Sequence, residues 1–482
     1  MSTVLIRPGV NVTLRPSPPT LGAPTDTGVW FVVGLADQGP LTPTLLSSMS
    51  DYANIFGARV SYSVVYDALD VYFREGGAHA YLKRVVGPAA LTATKNLLDA
   101  GAAISLVASA LGPGVSGNNI SVGVRAGQGA GTFVIFNVVG GVEVETSPDL
   151  LDNPTAILWA QNSAYIRLAA GPSANDPAVV AASALAGGND DRNNITDAQW
   201  QAALDSITSD FGPGQVSAPG RTSDIGHQQL VDHAGKHQRV AILDAPDTST
   251  VATLTASALG ARVGSSSKFG AMFWPWLTVP GIVSGSVRNV PPSALIAGLL
   301  GRNDSGGLGP DQAAAGDQGV SLFTTALSQP ALSDTVRQSL NQAGVDVIRS
   351  IYGTFRNYGW RSLVDPVAEQ DWVNFGCGRL YMSIAANAQA LAENYMFDKL
   401  DGKGNTIALF NGSLTGMLQG YYNNGDLYGA SAGDAFFVDT GPTVNTPTTI
   451  ANHELHAVLN VRMSEFAEMV QIEVYKKPIT AP

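Results

Sequence analysis

The chain has 482 residues, of which 45% are hydrophobic and 14% charged, with a formal net charge of -12. That length exceeds the ~250–300 residues one core serves, so roughly two to four domains are expected. The acidic balance argues against a nucleic-acid partner, which needs a basic face, and a single cysteine, Cys377, excludes an intrachain disulfide or a thiolate metal cluster.

So few charges on so long a chain point to extensive protein contacts. Arg7 and Pro8 interrupt the only early apolar run, so no signal peptide is legible. No stretch approaches the ~20 apolar residues of a membrane span. A bacterial-type cytoplasm is the expected place of synthesis and use.

Residues 1–24 read as an arm. Val10, Val12 and Leu14 alternate with Asn11, Thr13 and Arg15, and Pro16, Pro18, Pro19 and Pro24 fence the segment off from any central strand. Such a strand suits donation to a neighbour's sheet, with an edge strand of its own sheet as the competing reading.

Residues 29–35 form a continuous apolar strand. Ser50 or Asp51 then caps a helix carrying Tyr52, Ile55 and Phe56, which Gly57 ends. Val65, Leu69, Tyr72 and Phe73 have helical spacing, Gly76 and Gly77 stop that helix, and residues 80–86 return as a strand. From Pro88 to about Gly171 the texture changes to Gly, Ala and Val with alternating strands at 120–124, 132–139 and 165–168, the pattern of an all-β insertion. Gly127, Gly129 and Gly131 lie between two of these strands and open no helix, so they predict a hairpin turn and not a phosphate loop.

An alanine-rich helix is expected before the solvated turn Gly187, Gly188, Asn189, Asp190 and Asp191, whose spacing fails a calcium loop. Residues 197–208 are helical, and strand 239–243 ends at Asp244. An acid there could be catalytic, but no partner acid or base accompanies it, so a cap or turn role with Ala245 and Pro246 is preferred. His233 and His237 are helically in phase, with His227 nearby, yet they lack further ligands for metal. The apolar run 271–279 holds Trp274, Pro275 and Trp276, and Pro291, Pro292 and Ser293 open a helix at 294–300. Two further helices carry core stripes: Ile384, Ala388, Leu391 and Tyr395 on one, Ile407, Phe410, Leu414, Met417 and Tyr421 on the other.

Near the carboxy-terminal end, residues 435–438 suit a strand buried on both faces. Leu455, Ala457, Leu459 and Val461, and then Val470, Ile472 and Val474, alternate with more polar neighbours as half-buried strands do. Gly429 to Gly433 match a nucleophile elbow around Ser431, with Asp434 or Asp439 and His453 or His456 in hydrolase order. A polar loop precedes this serine and a strand follows it, the inverse of what an elbow requires.

Taken together, these stretches resemble the contractile-tail sheath proteins. The amino-terminal match is Pro8 to Val12, the strand 29–35, Phe56 with Gly57, and Gly76 to Tyr81. The middle match is the Trp-Pro-Trp strand, the Pro-Pro-Ser helix opening, Arg302 with Asp304, and residues 344–349 and 352–361, where Gly359 and Trp360 stand in reversed order. The last match is Gly425, Leu427 and Gly429, then 435–438, then Glu465 and Phe466.

The resemblance implies a multidomain α/β (α+β) protein: a mixed-sheet sheath core from amino- and carboxy-terminal parts, an inserted all-β domain and a central α/β domain. The expected segments are an arm at 1–24, core at 25–87, insertion at 88–172, central domain at 173–340, core at 341–464 and a terminal strand at 465–482. It implies no enzyme, no cofactor and no metal. The implied partners are further copies in a helical homopolymer, a tail tube protein, and baseplate and tail terminator proteins, in a virion tail assembled in a bacterial host's cytoplasm; a phage-like bacteriocin or a secretion or injection particle is the alternative setting. Val10, Val12, Leu14, Val470, Ile472 and Val474 are expected to carry strand exchange between subunits.

Overall fold

A computed structural model describes residues 27–476, so the expected arm strand Val10, Val12 and Leu14 lies outside the described residues. In chain order the elements begin with β1 (Trp30–Gly34), β2 (Thr44–Leu46), α1 (Met49–Phe56), α2 (Val65–Arg74) and β3 (Ala80–Arg84). The insertion supplies β4 (Thr92–Leu98), β5 (Ile104–Pro113), β6 (Ile120–Ala126), β7 (Phe133–Val139), β8 (Val142–Thr146), α3 (Asn153–Ala160), β9 (Ile166–Ala170) and β10 (Val180–Ala184). Next come α4 (Asp197–Asp205), β11 (Gln215–Ser217), α5 (Asp224–Lys236), β12 (Val240–Asp244), α6 (Val251–Gly260), β13 (Gly270–Trp274), β14 (Leu277–Pro280), β15 (Val287–Val290), α7 (Pro292–Ser305), β16 (Ala326–Leu327) and α8 (Asp334–Ala343). The remainder is β17 (Val345–Ile351), β18 (Thr354–Asn357), α9 (Phe375–Ala392), α10 (Asn405–Asn424), α11 (Ala432–Ala435), β19 (Phe436–Asp439), α12 (Pro447–Ala451) and β20 (Val458–Val461).

One eight-stranded sheet, ordered β18-β17-β13-β12-β11-β1-β3-β2, organises the molecule. Its six inner strands are parallel, and the edge strands β18 and β2 run antiparallel. Strands buried on both faces read as unbroken apolar runs, and β1, β12 and β13 are buried at every position. On one face Trp30, Val32, Ile242 and Phe273 pack with α1, α2, α7 and α9; on the other Phe31, Val216, Leu243 and Met272 pack with α4, α5, α6 and α8. Strands from 25–87, 173–340 and 341–464 therefore share one sheet. Segment 173–340 thus contributes β11, β12 and β13 to the same sheet as the core segments, an order hidden from the sequence because side-chain periodicity reports a strand's burial but not which strand it pairs with.

The insertion forms two small sheets, β4-β5-β9 and β10-β6-β7-β8, around its own core. It is not wholly β, since Asp152 and Thr155 build a capping box that starts α3. The expected alanine-rich helix before Gly187 is a strand: residues 180–184 pair antiparallel with β6, so the layer continues past residue 172. Gly127 to Gly131 do turn a hairpin, and the Asp149 carboxylate accepts from the amides of Gln128 and Gly129 at 2.9 Å each.

Buried charges fasten these parts. Arg84, 1% exposed, donates to the carbonyls of Ala36, Asp37 and Gly39 and to Pro113 of the insertion. Arg239 donates to the carbonyls of Ile207, Thr208 and Gly212 while its guanidinium lies over the Phe31 ring. Glu75, fully buried, gathers the amides of Leu322 and Phe323 and the Ser321 hydroxyl at the end of α2. The cap of α1 is Ser48 and not Ser50 or Asp51; its hydroxyl accepts from the Asp51 amide.

Candidate assembly interface

The carboxy-terminal end is built on α9 and α10, whose inner residues Ile384, Leu391, Phe410, Leu414 and Tyr421 form a separate apolar cluster with the last hairpin. The three residues of the Gly-x-Leu-x-Gly turn each have a task. Gly425 ends α10 at φ +91°, Leu427 is buried, and a Cβ on Gly429 would meet the Ala435 backbone at 2.8 Å.

The hairpin is a two-stranded sheet in register Phe436↔Val461 and Val438↔Leu459. Phe436 and Val438 face inward, but Phe437 is 62% exposed, so the expectation of a strand buried on both faces is corrected. Only one layer, α10 with its cluster, covers this pair, and two strands alone bury too little to be stable. Among the described residues no third strand joins them.

Beyond the hairpin the chain crosses α9 before it leaves. The Glu465 carboxylate accepts from Asn374 Nδ2 at 3.1 Å and from the Cys377 thiol at 3.8 Å. Phe466 lies against Gly376, and Arg361 holds Glu468 at 2.9 Å, walling a cavity of about 520 Å³ with Trp360 and Asp371. Burial and these acids push the Cys377 thiol up to about 12, which makes it an inert neutral group. From there Val470, Ile472 and Val474 are 76%, 79% and 90% exposed and lie in no strand of this chain. The expectation that they are half-buried is corrected within one subunit, because among the described residues no strand pairs with them.

On α10 a second surface stands open. The helix carries no charged residue, and Gly412, Gly416 and Gly420 recur one turn apart with nothing within 4 Å of a Cβ placed on them. Each glycine costs a helix interior about 1 kcal/mol against alanine, with no packing inside the subunit to require it.

The chemical candidates each make defined local contacts. The Ser431 hydroxyl donates to the Asp434 carboxylate at 2.7 Å, which also accepts the Ser431 amide, so the pair caps α11. His456 sits against Glu454, at 3.1 Å. Asp244 does not close its own turn: its carboxylate accepts from Ser293 N at 2.7 Å, Ser293 Oγ at 2.9 Å and Gly220 N at 3.0 Å. It thereby caps α7, whose N-cap Pro291 and first residue Pro292 have no amide to offer. Complete burial pushes this carboxyl up to about 6, and the three donors pull it back. Burial also holds His233 down to about 3, a neutral acceptor beside Arg239 Nη1 at 3.1 Å. Among the described residues no three His, Cys, Asp or Glu side chains converge as a metal set, and no helix is long and apolar enough to cross a membrane.

The reversed Gly359 and Trp360 also find a reason. A Cβ at 359 would meet Asp346 Oδ1 at 2.6 Å, while the Trp360 ring enters the core between Phe273 and Phe375. Asp346, fully buried, accepts the Arg361 amide with both oxygens. Sequence reasoning missed Asp346, Glu75, Arg84 and Arg239, since a buried charge looks like a surface charge until its partners are known.

Family models give no match to this chain, and no curated protein matches it. Solved structures do. A sheath tail protein from Listeria innocua superposes with a TM-score of 0.63 at 12% identity, over 87% of this chain and 90% of that one. One from Desulfitobacterium hafniense gives 0.57 at 13%, over 90% and 93%. The contracted helical sheath of the anti-feeding prophage gives 0.56 at 17%, over 98% and 100%. This is the contractile tail sheath fold. The likeness spans nearly the whole chain, insertion included, so the eight-stranded body and the carboxy-terminal hairpin belong to the sheath fold as one arrangement.

Proposed function

We propose that this chain is the subunit of a contractile sheath. Copies polymerise as a helical sleeve around a tail tube, and contraction drives the tube through a host envelope to deliver a genome. The observation that carries the reading is the alternating segment Val470, Ile472 and Val474, exposed and, among the described residues, unpaired beside a two-stranded hairpin, on a sheath fold. A strand taken from a neighbour would complete that hairpin by main-chain hydrogen bonds, and head-to-tail repetition of one such contact builds an open helix. Val10, Val12 and Leu14 of the arm would supply the reciprocal strand. The open glycine face of α10 is the surface we assign to the tube, and baseplate and tail terminator proteins would hold the two ends of the sleeve.

Motion fits the same parts. Rigid subunit bodies joined by exchanged strands can rotate against one another without losing their neighbours. Energy for contraction would reside in subunit contacts set at assembly and be released when the baseplate frees the lattice. The setting is a virion tail put together in the bacterial host's cytoplasm. A phage-like bacteriocin or an injection particle would use the same sleeve.

Electron microscopy of the full chain, alone and coexpressed with its neighbouring tail proteins, tests this. Hollow tubes with a constant subunit repeat are expected. Globular particles in both preparations would overturn the reading, as would contractile sheaths of full length formed without residues 1–20 for the arm's part in it.

A further inference from the structure

A pair of acids holds the base of the carboxy-terminal hairpin. Asp426 follows the glycine that ends α10; its amide donates to the Tyr421 carbonyl and its carbonyl accepts from the Ser464 amide, both at 3.0 Å. One residue thus closes the helix and ties down the outgoing chain. Its side chain is buried, and Oδ2 has no hydrogen-bond partner among the described residues. Asp311, in the segment after α7, brings its carboxyl within hydrogen-bond reach of Asp426. Both Oδ1 atoms crowd Gly309, at 3.2 Å and 3.6 Å from where a Cβ would sit.

Two carboxylates in contact inside a protein do not both ionise; one keeps a proton and donates. The surroundings decide which. Arg379 of α9 is engaged by the Pro310 carbonyl and by Asp304, both at 2.8 Å, and its charge acts on Asp311. On α10 burial and the Asp426 carboxyl raise the Tyr421 hydroxyl, which stays neutral and is bonded to Ser383 and Asn387. The Cys377 thiol is the other group near Asp311, with Glu465 and Asp371 beyond it adding negative charge. Asp311 is therefore the ionised member and Asp426 the protonated one. Burial first, and then the Asp311 charge, push the Asp426 carboxyl up to about 7; Asp311 is itself raised by burial.

We propose that Asp426 donates a proton to a hydrogen bond with Asp311, and that this shared proton clasps the base of the carboxy-terminal hairpin to the sheet body. The folded chain then binds this proton more tightly than the unfolded chain, whose ordinary value is 3.8. The clasp is complete in acid and is lost as pH rises through about 7. Once the proton leaves, two like charges meet where α10 ends and where the chain turns out at Ser464. The direction is the reverse of an ordinary surface carboxylate, which binds its partners better as it ionises. The clasp is a property of one subunit and goes beyond the assembly reading.

Hydrogen exchange of the full-length subunit tests it, through protection factors at the amides of Asp426 and Ser464. Between about pH 5 and about pH 9 protection there is expected to fall by about tenfold or more, while the β12 and β13 amides hold. Asp426→Asn keeps a donor for Asp311 but has nothing to titrate, so its protection at those amides should not change with pH. Equal protection of the wild type at both pH values, or the same fall in the Asn variant, would overturn the clasp. If that variant does not fold, Asp311→Asn places the amide donor on the other side and is read the same way. No polymer is needed for the measurement, so its failure and a failure to form tubes are told apart.

Discussion

The sheet body and the carboxy-terminal end use their residues in opposite ways. In the body, charges point inward: Arg84, Arg239, Glu75 and Asp346 are buried and spend their hydrogen bonds on backbone groups of distant segments. At the end, apolar groups point outward: Phe437, Val470, Ile472 and Val474 stand in solvent, and α10 shows a face without charge. A buried charge with fixed partners makes a body rigid, because no alternative arrangement satisfies it. An exposed apolar strand gains by pairing with something else. The contrast teaches where a subunit is finished and where it is left open.

The sharpest way to break that contrast is at the open strand. Replacing Val470, Ile472 and Val474 together with Asp should abolish tube formation in the microscope. The melting curve of the subunit should stay within about 0.5 kcal/mol of the parent for each change, since these side chains stand largely in solvent.

The body should respond in the other sense. Arg239→Met leaves the carbonyls of Ile207, Thr208 and Gly212 without their donor, and is expected to cost about 3 kcal/mol or more in urea unfolding. The matched change at the open end, Arg361→Met, removes a half-exposed pair with Glu468 and should cost under about 1 kcal/mol. Asp244 should fall between these two. Asp244→Ala removes the cap of α7, for about 2 kcal/mol. Because this carboxyl is raised to about 6 in the folded chain, its contribution falls as pH climbs from about 4 to about 6, and Asp244→Asn should flatten that part of the stability profile. The smallest change has the opposite sign: Gly416→Ala should stabilise the lone subunit by about 1 kcal/mol, read by thermal unfolding, because its Cβ enters open space.

Much of this was legible in the sequence wherever burial imposes a period. The strands β1, β12 and β13, the helix stop at Gly57, and the inner stripes of α9 and α10 all follow from runs and spacings. Residues 180–184 misled because alanine and serine suit a helix, and only pairing with β6 makes them a strand. The order of strands in the great sheet was hidden, since contacts between residues far apart leave no local trace. At the open end the alternation of Val470, Ile472 and Val474 was plain, but an alternating pattern does not say which chain supplies the other half of the sheet. The acid pair Asp311 and Asp426 was invisible for the same reason: 115 positions of chain separate residues that touch only in the fold.

The sheet order has a consequence for how the protein is made. β1 lies between β3, about fifty residues on, and β11, whose partner residue for Trp30 is Gln215. As a chain leaves the ribosome, β1 and β3 can meet early, yet one flank of β1 waits until the whole insertion has been synthesised. Through that interval a wholly apolar strand offers unpaired amides and carbonyls to any other nascent chain, which is a hazard for a protein needed in many copies at once. The insertion closes a core of its own from residues 92 to 185, so it can fold first and bring β11 back toward β1 as a compact body. Slower synthesis or lower temperature should therefore raise the yield of soluble subunit more than any change to the finished surface.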